Sequence, residues 1–77
     1  MTKDQLQQLY SQELLVEAVV EPSIQHEGWI VEFRHARGGL VPMTDRLGVE
    51  ICFESADMAT VNALDVGFRQ VRIVDEV

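Results

Sequence analysis

Two stretches of this sequence alternate with a period of two, and a chain of 77 residues that contains them has to organise itself around one sheet. Trp29, Val31 and Phe33 alternate with Ile30, Glu32 and Arg34, so aromatic and β-branched side chains share one face of a strand. Val16, Ala18 and Val20 alternate with Glu17, Val19 and Glu21 in the same way, and Pro22 and Ser23 end that run. An apolar sheet face must be covered, and at this length only about 60% of the unfolded chain's surface is buried on folding. The covering elements are therefore few and close, which predicts one small α+β domain over residues 1–77.

Two helices are available for that role. Thr2 is a good N-cap, Gln5 three residues later completes a capping-box pattern, and Asp4 lies in the first turn. Leu6, Leu9, Tyr10 and Leu14 then recur at helical spacing over about three turns. Near the other end Ser55 is an N-cap, Asp57 complements the dipole, and a helix from Ala56 to Val66 stops at Gly67, with Phe68 placed for the contact that follows such caps. Between the helices, Arg37-Gly38-Gly39-Leu40 predicts a type I′ hairpin turn into a strand from Leu40 to Thr44, irregular or at an edge because Pro42 has no amide donor. Asp45 to Gly48 reads as a second tight turn, leading to a strand Val49–Phe53, and Gln70 to Val74 is the last strand. The predicted order is α-β-β-β-β-α-β in one antiparallel-rich sheet. Its expected core is Trp29, Val31, Phe33, Val49, Ile51, Phe53, Val71 and Ile73 against Ala59, Ala63 and Val66.

Charge narrows the function. Thirteen acids against six Lys and Arg give a net charge of −7, and from Asp4 to Phe33 there are six acids with no Lys or Arg after Lys3. Nucleic-acid affinity comes chiefly from basic side chains on phosphates. Arg34, Arg37, Arg46, Arg69 and Arg72 would have to converge to supply it, and this nucleic-acid accessory role is the alternative reading. No apolar run approaches the ~20 residues of a membrane helix. One cysteine, Cys52, forms no internal disulfide, so a reducing cytoplasmic setting is expected.

Catalytic patterns are missing from the sequence. His26 and His35 fall on different segments, and no Cys or His has metal-ligand spacing, so neither metal nor cofactor is expected. Glu50 and Glu54 flank Cys52 on its expected face and disfavour a thiolate. Ser11, Ser23 and Ser55 lack a nucleophile-elbow context, and the glycine pair is followed by a strand rather than a helix, so it is no phosphate loop. The expectation is a protein without enzymatic activity. One local anion site is conceivable at Arg34, Arg37, Gly38 and Gly39, where two guanidiniums and turn amides would meet.

The second helix is the most informative surface. Ala56, Ala59, Ala63 and Val66 fall on one narrow arc, whereas Met58, Val61 and Leu64, spaced by three, form a ridge on nearly the opposite side. One small core needs one of these stripes. Either the first helix covers the ridge or Met58, Val61 and Leu64 form a contact surface for a protein partner or a second copy; the latter is the expectation. The outward sheet face, expected to carry Ile30, Glu32, Arg34, Glu50, Cys52, Glu54, Gln70, Arg72 and Val74, should hold cross-strand Glu–Arg pairs and is a possible dimer surface too.

The final third, Phe53-Glu54-Ser55-Ala56-Asp57-Met58-Ala59 through Val66-Gly67-Phe68 to Val71-Arg72-Ile73-Val74, resembles a β-α-β unit found in small uncharacterised proteobacterial proteins, some encoded on plasmids or mobile elements. The likeness is structural and carries over no functional residue. This stretch is also loosely similar to half of an RNA-recognition-like ferredoxin fold, but the basic aromatic sequence such domains use for stacking is missing.

Overall fold

The computed structural model describes residues 1–75, so the last two residues of the expected domain lie outside it. Helix α1 spans Lys3–Ser11 and opens on the expected capping box: Thr2 Oγ1 accepts from the Gln5 amide at 3.3 Å, and Gln5 Oε1 accepts from the Thr2 amide at 3.0 Å. Strand β1 spans Leu15–Pro22, β2 Trp29–His35 and β3 Leu40–Pro42; helix α2 spans Ala56–Val66 and strand β4 Arg72–Ile73. The four strands form one mixed sheet in the order β3-β2-β1-β4. β1–β2 and β2–β3 are antiparallel, while β4 returns parallel to β1 after the crossover through α2.

The α+β class is as the periodicity predicts, and so is the order of elements along the chain, with isolated bridges in place of the fourth strand expected before α2. The register of β2 is also as expected, with Val31 and Phe33 on the core face opposite Val20 and Ala18. Both helices lie on that face: Leu6 of α1 and Ala59, Ala63 and Val66 of α2 are buried in one cluster with Ala18, Val20, Val31, Phe33 and Met43. Small side chains on α2 let its backbone approach the sheet, and Phe68 closes the end of the layer, stacked on Phe33 and edge-on to Tyr10.

Four expectations need correction. The run Val49–Phe53 makes only isolated bridges, Thr44↔Glu50 and Trp29↔Phe53, because the turn at Asp45 steers it along the edge that β3 already occupies. Val49 is consequently 59% exposed rather than core, although Ile51 and Phe53 pack against the cluster. The last strand is two residues instead of five, and Ile73 is 49% exposed at the outermost position of the sheet. The β2–β3 connection is not a two-residue turn, since four residues, 36–39, separate the two strands. There His35 Nδ1 accepts from the Arg37 amide at 3.1 Å, and Gly38 and Gly39 both take positive φ in open space.

A register shift between Leu15 and Glu17 marks a bulge at the start of β1. Leu15 is buried and Val16 is exposed as a result, so the alternation is in step only from Glu17 onward. Bulges bend the strand that carries them. Among the described residues, the backbone of 68–71 makes no hydrogen bond to β1, and pairing begins at Val19↔Arg72.

Candidate functional site

The α2 ridge stands clear of the rest of the molecule. Met58, Val61 and Leu64 are 48%, 58% and 40% exposed, while Ala59, Ala63 and Val66 on the other arc are buried. α1 packs beside α2 without covering the ridge. It is pinned at the far end, where Lys3 Nζ pairs with Asp65 Oδ2 at 3.1 Å and Gln7 Nε2 donates to the Asp65 carbonyl at 2.8 Å. A shallow, mostly apolar depression lies along the ridge, lined by Asp57, Met58, Val61 and Asn62. These four residues are neighbours on the side of α2 that faces away from the core.

The outward sheet face carries no helix, and its charges are sorted. At one end Glu21 and Glu32 sit diagonally across β1 and β2, with Glu50 close by. A hydrogen bond to Glu21, partial burial, and the negative charges of Glu21 and Glu50 push the Glu32 carboxyl up to about 7. Val19 and Ile30, beside them, are only 5% and 6% exposed, hemmed in by Glu21, Glu32 and Arg72 in the register. Long charged stems can close over apolar side chains in this way while their heads stay in water.

At the other end Glu17 takes two arginines. Arg34 Nε lies 3.3 Å from Glu17 Oε1, and Arg72 Nε lies 3.2 Å from Glu17 Oε2, so three adjacent strands are bridged through one carboxylate. Arg69 joins them along an open cleft of about 830 Å³ lined also by Tyr10, Val16, Ala18, Phe68, Gln70 and Val71. The five arginines thus do not form one patch. Arg46 lines a separate depression with Met1, Thr2 and Gln5, and Arg37 projects from the β2–β3 loop.

The anion site expected at Arg34, Arg37, Gly38 and Gly39 is divided by this arrangement. Arg34 turns along the sheet to Glu17, and its cleft contains neither Arg37 nor the glycines. Sequence reasoning missed Tyr10, Glu17, Phe68 and Arg69 as neighbours of Arg34 and Arg72. The available signal was weak: Glu17, Arg34 and Arg72 all fall on outward positions, but only the parallel return of β4 beside β1 brings them together.

No family model, curated protein or solved structure matches this chain. Its own surfaces have to supply the functional reading. His26 is exposed in the β1–β2 loop, and Cys52 is half-buried on the bridging segment. Among the described residues no three His, Cys, Asp or Glu side chains are grouped to hold a metal ion, and no helix is long and apolar enough to cross a membrane.

Proposed function

We propose that this chain is a cytoplasmic, non-catalytic binding protein of the regulatory accessory type, and that it self-associates through helix α2. The observation that carries the reading is the exposed ridge of Met58, Val61 and Leu64 on a helix whose opposite arc already meets the sheet. Folding gains nothing from leaving these side chains in water, whereas burying each against a partner is worth about 1.5–3 kcal/mol when complete.

A second copy fits this surface better than an arbitrary partner. The ridge is centred on Val61 with a larger apolar side chain on either side, so a two-fold axis at Val61 would pair side chains of similar size. Antiparallel pairing of two α2 helices, each ~16 Å long, sets Met58 against the partner's Leu64 and opposes their dipoles favourably. The depression framed by Asp57, Met58, Val61 and Asn62 is then where the incoming Leu64 seats. The contact is small beside the ~800 Å² per partner of a standard interface, so a weak dimer is expected.

The test is Val61→Lys, followed by sedimentation and thermal melting. Loss of self-association with a melting temperature nearly that of the parent supports the reading. A parent that is strictly monomeric, or a variant destabilised by several kcal/mol because Val61 is core, rejects it.

A further inference from the structure

The cleft between the bulged start of β1 and the chain entering β4 has the features of a ligand site, and they are independent of the α2 ridge. Its volume of about 830 Å³ falls within the range of small-molecule sites. Residues 68–71 run along one side of it, and among the described residues their backbone makes no hydrogen bond to β1. Its chemistry is equally uneven. Tyr10, Val16, Phe68 and Val71 supply an apolar wall, and three of the protein's five arginines stand at its rim.

The arginines are presented rather than consumed. Arg34 and Arg72 each spend only Nε on Glu17, and among the described residues their terminal Nη groups have no hydrogen-bond partner. Glu17, one carboxylate oxygen to each guanidinium, therefore sets two donor forks side by side across three strands. Pre-oriented forks of this kind suit tetrahedral or planar oxyanions, because less side-chain freedom is lost on binding. Arg69 makes no ion pair among the described residues and adds a third cation. The cleft keeps a net charge of +2 in a protein whose overall charge is −7.

We propose that this cleft binds a phosphomonoester with a short apolar or aromatic body. The phosphate would sit on Arg34, Arg69 and Arg72, and the body would lie against Tyr10, Val16, Phe68 and Val71. Charge matching favours a dianion, and a phosphomonoester near neutral pH balances the +2 of the cleft, which a monocarboxylate or a single phosphodiester does not. Glu17 is a positioning residue, acting through the two guanidiniums it holds. A nucleic-acid strand is the competing occupant, but it offers one charge per phosphate and would cross the acidic surface that begins at Glu21, Glu32 and Glu50.

The experiment is an amide-resolved NMR titration of the full chain with phenyl phosphate, inorganic phosphate, benzoate and a single-stranded oligothymidylate. Phenyl phosphate is expected to bind saturably, to shift the amides of Val16–Ala18 and Phe68–Arg72, and to bind at least tenfold more tightly than inorganic phosphate or benzoate. Affinity should fall below pH about 6, where the phosphate becomes a monoanion. Arg69→Gln, which breaks no ion pair, and Arg72→Gln should each weaken binding about tenfold with folded spectra retained. Absence of saturable binding, equal affinity for benzoate, shifts centred elsewhere, or indifference to Arg69→Gln overturns the proposal. Tighter binding of the oligothymidylate than of phenyl phosphate overturns it in favour of a nucleic-acid surface.

Discussion

At the scale of single residues, three positions show local strain or a shifted titration. Gly67 ends α2 with φ +138°, and a Cβ built there would lie 2.5 Å from the Tyr10 ring. Both the backbone and the ring resist a side chain, so Gly67→Ala should lower stability by at least ~2 kcal/mol, read in a denaturant melt. Glu13 shows the reverse case, a non-glycine residue at φ 62° just after α1. Glu13→Gly removes that penalty and should raise stability by about 1 kcal/mol, a shift of roughly 4–8 °C in a domain of this size. Glu32 sets a pH dependence. Its carboxyl, raised from an ordinary 4.5 to about 7 chiefly by the hydrogen bond to Glu21, then by burial and by the charges of Glu21 and Glu50, binds more protons folded than unfolded. Its contribution to stability is complete below pH 4.5 and is lost as pH rises through 7. Glu32→Gln should therefore gain melting temperature relative to the parent between pH 5 and pH 8, and a constant difference across that range would contradict the assignment.

At the scale of elements, the two helices were legible because their signals are local. Thr2 with Gln5 and Ser55 with Asp57 announced the N-termini, and Ser55 Oγ does accept from the Met58 amide, at 3.1 Å. Ser55→Ala should cost about 1 kcal/mol through loss of that cap, measurable by thermal melting. Strand β2 was equally legible, since a clean alternation fixes which face is buried. The strands that depend on distant partners were not. Val49, Ile51 and Phe53 alternate as well as any strand, yet the edge they approach is shared with β3, and only Ile51 and Phe53 reach the core. The bulge between Leu15 and Glu17 has no sequence mark, and it puts the exposed Val16 out of step with Ala18 and Val20. Ile30 and Val19 are buried on the outward face for a similar reason: their cover comes from charged neighbours across strands, which periodicity along one strand cannot report.

At the scale of the whole molecule, one sheet face is covered by both helices and the other is left to charged side chains, while α2 turns an apolar ridge outward. The ridge was legible from spacing alone, since Met58, Val61 and Leu64 could not share an arc with Ala59, Ala63 and Val66. The arginine cleft was not, because Glu17, Arg34 and Arg72 are joined only by the parallel return of β4. The cleft and the ridge depression share no lining residue, so loss of phenyl phosphate binding in Arg69→Gln should leave self-association intact. The central claim, association through α2, is tested most directly by sedimentation equilibrium of the unmodified chain from micromolar to millimolar concentration. The account predicts an average mass that climbs from the 8.7 kDa monomer toward twice that value, and a mass that stays at 8.7 kDa throughout would contradict it.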